Sequence, residues 1–185
     1  ASAMTLIWPE DQPILDGETI ILRPWRPEDA QAVFEACQDE MVQAFTSVPS
    51  PYRLTDAEAF VALGPQIWRQ RTDINCAITD DEDAVIGAIS LMHIDEQGAQ
   101  GEIGYWVADW ARGNRVARRA VELLSDWALN ELGLSRLLLR IERENVASIA
   151  AALAAGAQPT GITVDEEVRD RARNYGIYEL LSSAT

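Results

Sequence analysis

Glu102-Ile103-Gly104-Tyr105-Trp106-Val107, followed by Arg112-Gly113-Asn114-Arg115-Val116-Ala117, is the stretch on which the reading of this chain turns. The first run has the composition of a β-strand and the second is a short basic turn. Behind the turn, apolar residues recur at helical spacing through about Leu132, and a second apolar run comes at Leu137-Leu138-Leu139-Arg140-Ile141. Asn145-Val146-Ala147-Ser148 then heads another helix. Strand, turn, helix, strand and helix in that order make a βαβ unit. Its first helix opens among backbone N–H groups and arginines, a combination that attracts phosphate. The chain therefore reads as a phosphate-anchored cofactor enzyme, with the remainder as its substrate side.

Upstream, Thr19-Ile20-Ile21-Leu22-Arg23 is a strand closed by Pro24 and Pro27. Pro27 with Glu28 and Asp29 starts a helix whose apolar face is Ala30, Val33, Phe34 and Cys37. The prolines Pro49 and Pro51 make residues 45–52 a loop, and Thr55-Asp56-Ala57-Glu58 reads as a capping box. The helix behind that box has Pro65 in it as a candidate kink. From Asp73 the period becomes that of strands, with turns at 80–83 and 97–98, which predicts a three-stranded antiparallel meander. His93, at the end of the second of these strands, is read as a partly exposed histidine without a catalytic part.

The helix after the basic turn should bury Val116, Ala120, Leu123, Leu124, Trp127 and Ala128 and stop at Gly133. Arg118, Arg119, Glu122 and Asp126 form its solvated face. The run 137–141 has the apolar character of a strand covered on both sides. The last 25 residues are expected to hold a charged turn, Asp165 to Arg173, and a strand from Tyr175 to Leu181.

Length bounds the answer: 185 residues suit one domain, residues 4–185, with a single core. Ala1-Ser2-Ala3, ahead of Met4, reads as a cloning remnant. No apolar run approaches a membrane span, and the expected location is the cytoplasm. Cys37 and Cys76 have no metal-like spacing and are expected as core thiols, and with one histidine a zinc site is not expected. Thirty acids stand against fifteen arginines and no lysine, a net charge of −15. That balance argues against a nucleic-acid backbone as partner and suits a cationic amine.

On these motifs the chain resembles the GNAT superfamily of acetyl-CoA-dependent N-acetyltransferases, and within it the RimJ/RimL type. The likeness runs from Leu22-Arg23-Pro24-Trp25 through Leu180, and is carried by Glu-Ile-Gly-Tyr-Trp at 102–106, Ala-Arg-Gly-Asn-Arg-Val-Ala at 111–117 and Glu-Asn-Val-Ala-Ser at 144–148. It implies an α/β (α+β) fold with a mixed, mostly antiparallel sheet of about six to seven strands flanked by about four helices. It also implies acetyl-CoA as co-substrate, no metal, and a primary amine as acceptor, on a protein N-terminus or a small molecule.

The resemblance assigns the cofactor to Trp106, Val107, Arg112, Gly113, Asn114, Arg115, Val116, Ala117, Asn145 and Ser148. The pantetheine arm would lie where the strand ending at Val107 splays from 137–141, with the Val107 N–H polarising the thioester carbonyl. Asn145 would hold the arm and Ser148 would protonate the leaving thiolate, unless Ser148 serves only its helix start. Glu102 stands at the family's base position; a carboxylate that merely orders its neighbours is the alternative, and Tyr105 is a further candidate. Two departures stand out: Arg115 where the family has a glycine, and Ala152 where many relatives have an acid tyrosine. They motivate a rival reading, a catalytically silent acyl-CoA-binding module. Acceptor choice falls to the first two helices, residues 45–54 and residues 157–174. Oligomeric state stays open, a homodimer being compatible with the sequence.

Overall fold

The computed structural model describes residues 5–46, 48–168 and 170–183; residues 1–3, read above as a remnant, lie outside them. Leu15–Asp16 (β1) folds back on Ile21–Arg23 (β2), and a single 3-10 turn at Pro27–Asp29 leads into Ala30–Ala36 (α1). Glu40–Phe45 (α2) and Leu54–Gln70 (α3) follow. Ile74–Thr79 (β3), Val85–Asp95 (β4) and Gln100–Val107 (β5) pair in succession as the expected antiparallel meander. Val116–Trp127 (α4) continues as a π-helical turn over Ala128–Leu132 and stops at Gly133, whose φ is +104°. Then come Arg136–Glu142 (β6), Val146–Ala154 (α5), Gln158–Val168 (β7) and Arg171–Leu181 (β8).

All eight strands share one sheet, in the order β1-β2-β3-β4-β5-β6-β8-β7. Every pairing is antiparallel except β5 with β6. Alternation along the central strands divides the apolar residues between two cores. Ile74, Cys76, Ile78, Ile89, Leu91 and Ile103 pack with α4 and α5 on one face. Ala77, Val85 and Ala88 pack with Trp25, Val33, Ala57 and Val61 of the α1–α3 side on the other. Both cysteines lie in these cores, as expected. Burial pushes the Cys37 thiol up to about 11 and the Cys76 thiol up to about 12.

Several expectations are corrected. β6 is covered on one face only: Leu137, Leu139 and Ile141 are buried, whereas Arg136, Leu138 and Arg140 are half-buried on a face that no helix covers. The charged segment 165–173 is mostly ladder, with Asp165 opposite Asn174, Glu166 opposite Arg173 and Glu167 opposite Ala172. β7 is largely exposed on both faces, and its alternation is confined to Ile162-Thr163-Val164-Asp165 before Glu166 and Glu167 interrupt it. α2 was not foreseen. The start of α3 is set by Asp56, whose carboxylate accepts the Arg53 N–H at 2.8 Å, in place of a cap by Thr55. Pro65 is accommodated inside α3, which runs on to Gln70.

Arg23, at the end of β2, joins the two halves of the α1–α3 side. Its guanidinium is 4% exposed and donates to both oxygens of Asp29 at 2.8 and 2.9 Å and to Asp83 of the β3–β4 turn at 2.8 Å. The geometry is the bidentate fork that offsets the cost of burying a charge. Asp29→Ala should cost about 3–5 kcal/mol in chemical denaturation, because it strands that guanidinium. Asp83→Ala, at the solvent-facing end, should cost far less than Asp29→Ala.

Candidate active site

β5 and β6 stay together for three residue pairs only, Gln100–Arg136, Gly101–Leu137 and Glu102–Leu138. From Ile103 onward β5 is paired with β4 alone, and from Leu139 β6 is paired with β8 alone. The strands part, as the resemblance implied. Ala108 N–H bonds to Ile86 O at 2.9 Å, which makes Gly87–Val107 a pair without mutual hydrogen bonds. The N–H and C=O of Val107 consequently turn away from β4 and into the gap. Arg112 Nη2 donates to that carbonyl at 3.2 Å. The N–H stays open to the gap.

A cavity of about 440 Å³ fills this side of the gap. Tyr105, Trp106 and Val107 line one wall, Asn145, Ala147 and Ser148 of α5 the other, and the head of α4 closes one end. At that head Arg112, Gly113, Arg115, Val116 and Ala117 line the cavity. Asn114 does not: its amide donates to Ala111 O at 3.4 Å and bridges the turn itself. The first hydrogen bond of α4 runs from Arg119 N–H to Arg115 O at 3.0 Å, leaving open the N–H groups ahead of it, the usual state of a helix start.

Arg115 occupies the glycine position of the family's turn with φ 59° and ψ 24°, the left-handed region where glycine is favoured. The backbone therefore keeps the shape a glycine would take and carries a side chain at an energetic cost. Among the described residues no hydrogen bond or ion pair ties that guanidinium. Arg112, by contrast, is engaged at 2.6 Å with Asp39, the residue that caps α2 through Val42 N–H. This contact holds the Asp39 carboxyl below the usual carboxylate range.

Asn145 caps α5 through its side-chain oxygen, which accepts the Ser148 N–H at 3.2 Å. Its amide NH2 remains for a ligand. Ser148 Oγ donates to Tyr105 OH at 2.8 Å, and that hydroxyl donates to Ser148 O at 2.9 Å. The pair spans the gap from β5 to α5. Burial raises the Tyr105 phenol, so it keeps its proton at neutral pH. Ala152, the position of the absent family tyrosine, is wholly buried in the core.

A second cavity, of about 670 Å³, meets the first at Tyr105, Trp106, Asn145 and Ser148. Glu102 lines it, with Ser90 and Met92 beside it, Phe60 from α3 opposite, and Arg173 and Tyr175 from β8. Its charged lining is Asp56, Glu102, Glu142 and Glu166 against Arg140 and Arg173, an acidic excess suited to a cation. His93 approaches Glu102, Nδ1 to Oε2, at 3.1 Å. No group of three or more His, Cys, Asp and Glu side chains is positioned to hold a metal among the described residues.

The structure thus gathers all the sequence-derived site residues around one gap, with Asn114 turned aside. It adds Met41 and Val42 of α2 and the cap residues Asp39 and Thr46 at its two ends, which sequence reasoning missed. The available signal was Asp39 itself, an N-cap residue before the apolar pair Met41-Val42.

A family model described as an acetyltransferase (GNAT) domain matches residues 19–158. The chain is 24% identical over 151 residues to the uncharacterized N-acetyltransferase YoaA of Bacillus subtilis (strain 168), covering 81% of this chain and 85% of that one. Among solved structures it is similar to Mycobacterium smegmatis RimJ in complex with CoA-disulfide, at TM-score 0.82 and 18% identity, over 96% of this chain and 90% of that one. The ribosomal-protein-S5-alanine acetyltransferase from Vibrio fischeri matches at TM-score 0.81 and 15% identity, over 93% and 98%. At these identities the structural likenesses concern the fold.

The two side-chain atoms of Asn145 can be separated, since the oxygen caps α5 and the NH2 has no partner among the described residues. Asn145→Asp keeps the capping oxygen and removes the NH2, so thermal stability should hold while the Michaelis constant for acetyl-CoA rises. Asn145→Ala should raise that constant too and in addition lose about 1 kcal/mol of stability with the cap.

Proposed function

The chain belongs to the GNAT acetyltransferase family, and from that premise we propose that it transfers acetyl from acetyl-CoA to a primary amine by direct attack, with no acyl-enzyme. The observation that carries this reading is the gap between β5 and β6, where the cavity at the phosphate-seeking helix start meets the acid-lined cavity of Glu102. The residues fit acetyl-CoA: helix-start N–H groups with the untied Arg115 for phosphate, and unpaired β5 backbone for an extended arm. The Val107 N–H serves the thioester oxygen as charge develops on it.

Glu102 acts as the base that takes the proton from the acceptor ammonium. The amine then attacks the carbonyl carbon, the C–N bond forms and the C–S bond breaks. Ser148 gives its hydroxyl proton to the departing thiolate and takes in return the second proton that the nitrogen sheds, while the Tyr105 hydroxyl, bonded to Ser148 O, holds the serine in place. An α-amine, titrating near about 8, asks far less of Glu102 than a lysine amine near about 10.4. That difference supports a protein N-terminus or a small-molecule α-amine as the acceptor, and the name of the Vibrio fischeri neighbour agrees with the former. With Glu166 and Glu142 paired to arginines, Glu102 and Asp56 are the carboxylates of the acceptor cavity that favour a cationic amine of either kind.

Thiol release from acetyl-CoA, measured over a panel of N-terminal peptides and small amines, tests the reading. Turnover with at least one class of α-amine is expected. Tight coenzyme A binding by titration with no turnover for any amine would replace it by the silent module.

Two substitutions assign the roles. Arg115→Ala keeps the Cβ and removes everything beyond it, the guanidinium included, so it should weaken coenzyme A binding about five- to tenfold, as for loss of one charge-assisted phosphate contact. Unchanged affinity would free that side chain from the phosphate. Glu102→Gln should lower turnover by about a hundredfold and alter its pH profile, with acetyl-CoA affinity retained.

A further inference from the structure

We propose that His93 is the outlet for the proton that the acceptor amine must lose, a positioning residue that acts through Glu102 and passes the proton to bulk water. The inference rests on the reading of Glu102 as the base.

The backbone supplies the first observation. β4 and β5 pair in step from Gly87–Val107 to Met92–Glu102, and their next pair is Asp95–Gln100. Three steps along β4 oppose two along β5, so β4 carries one extra residue, a β-bulge. His93 sits there with φ 51°, in the left-handed region that a residue with a side chain enters only under constraint. The constraint comes from the chain before β3. Asp73 Oδ1 accepts the His93 N–H at 2.9 Å, and Thr72 O accepts the Ile94 N–H at 3.1 Å. In an unbroken strand, consecutive side chains point to opposite faces, which would take residue 93 away from the face of Met92 and Glu102. The bulge brings its imidazole to Glu102 instead, Nδ1 to Oε2 at 3.1 Å.

The second observation is the contrast between the two ends of that contact. The Glu102 side chain is 19% exposed and lines the acceptor cavity, whereas the His93 side chain is 74% exposed. A carboxylate that receives a proton while acceptor and acetyl-CoA fill the cavity in front of it needs a route to reset. The pair gives one, from the site to solvent in a single step. His93 is the chain's one histidine, and imidazole is the side chain suited to exchanging protons with water near neutral pH.

The reaction has such a proton to dispose of. An ammonium and a thioester become an amide, a thiol and one free proton. One proton from the nitrogen balances the one delivered to the thiolate, and the other leaves. Glu102 takes it, passes it to Nδ1 of His93, and the exposed imidazolium returns to neutral by giving a proton to water or buffer. No other reactant is needed.

The charged groups about the pair are Asp73 and Asp95 beside the bulge, and the Arg136–Glu179 ion pair at 2.8 Å, beyond Leu138 on the face that Glu102 shares. Arg140, in the same cavity, is held by Glu166 at 2.6 Å. Both guanidinium groups are thus engaged elsewhere, and His93 is the basic group in contact with Glu102 among the described residues.

His93→Asn tests the proposal, because asparagine tolerates the left-handed region and does not titrate. Thiol release at saturating amine is followed across pH in dilute buffer, with and without added imidazole. The variant should keep its Michaelis constant for acetyl-CoA and lose roughly tenfold in kcat, less than the full effect of a general base, and imidazole should restore the loss. Wild-type kcat and pH profile in the variant would overturn the proposal, as would a loss that imidazole leaves in place. Should the asparagine variant fail to fold, His93→Gly suits the same φ and is measured identically. Glu102→Gln run alongside separates the two ideas. Full activity of Glu102→Gln removes the base and the outlet together; an impaired Glu102→Gln with an unaffected His93→Asn removes the outlet alone.

Discussion

Unpaired backbone inside a sheet is the constraint on which this molecule is organised. A strand at the centre of a sheet normally gives its N–H and C=O groups to two neighbours. Here β5 gives them to β4 along its length but to β6 only as far as Glu102, so the half ending at Val107 has one side unclaimed. Closing the gap would require the sheet to bring β6 back against Val107, and the head of α4 and the start of α5 stand on its flanks instead. An extended ligand that accepts and donates along this edge would complete the sheet by the same hydrogen-bonding rule that folds it.

The two ends of the gap are tuned by different physics. At the α4 end the proposed hold on phosphate is electrostatic, through the open amides and the guanidinium of Arg115, whose backbone lies in the left-handed region. Arg112, which the family pattern assigns to the same work, is largely spent on structure, tying the turn to Asp39 and to the Val107 carbonyl. At the Glu102 end the cavity is acidic and walled by aromatic and aliphatic groups from α3, β4 and β8. Tyr105 and Ser148 bridge the middle, where neither charge dominates.

What the sequence disclosed follows from how each element is buried. Residues 100–142 are strand, turn, helix and strand with one face in the core, and their periodicity stands out. So does the Asn145 cap, because an asparagine before an alanine-rich run has few other readings. β7 was hard to read for the opposite reason: both faces are mostly wet, and the short alternation of Ile162 and Val164 with Thr163 and Asp165 runs into the charged residues Glu166 and Glu167. α2 is too short, at six residues, for a helical stripe to repeat. Among site residues, those on β5 and the turn were legible through the motif, while Asp39 was not, since its partner Arg112 lies 73 positions away. The contact of His93 with Glu102 was likewise hidden, as it depends on one extra residue in β4 that alternation alone does not reveal.

The deep placement of Cys37 and Cys76 has a bearing on life with a sulfur-bearing product. Each turnover leaves a free thiol in solution, and under oxidising conditions such thiols exchange onto accessible protein sulfurs. Only a thiolate reacts, and these two groups are held as thiols by the apolar packing around them. The protein is thereby insulated from mixed-disulfide capping by the very compound it releases.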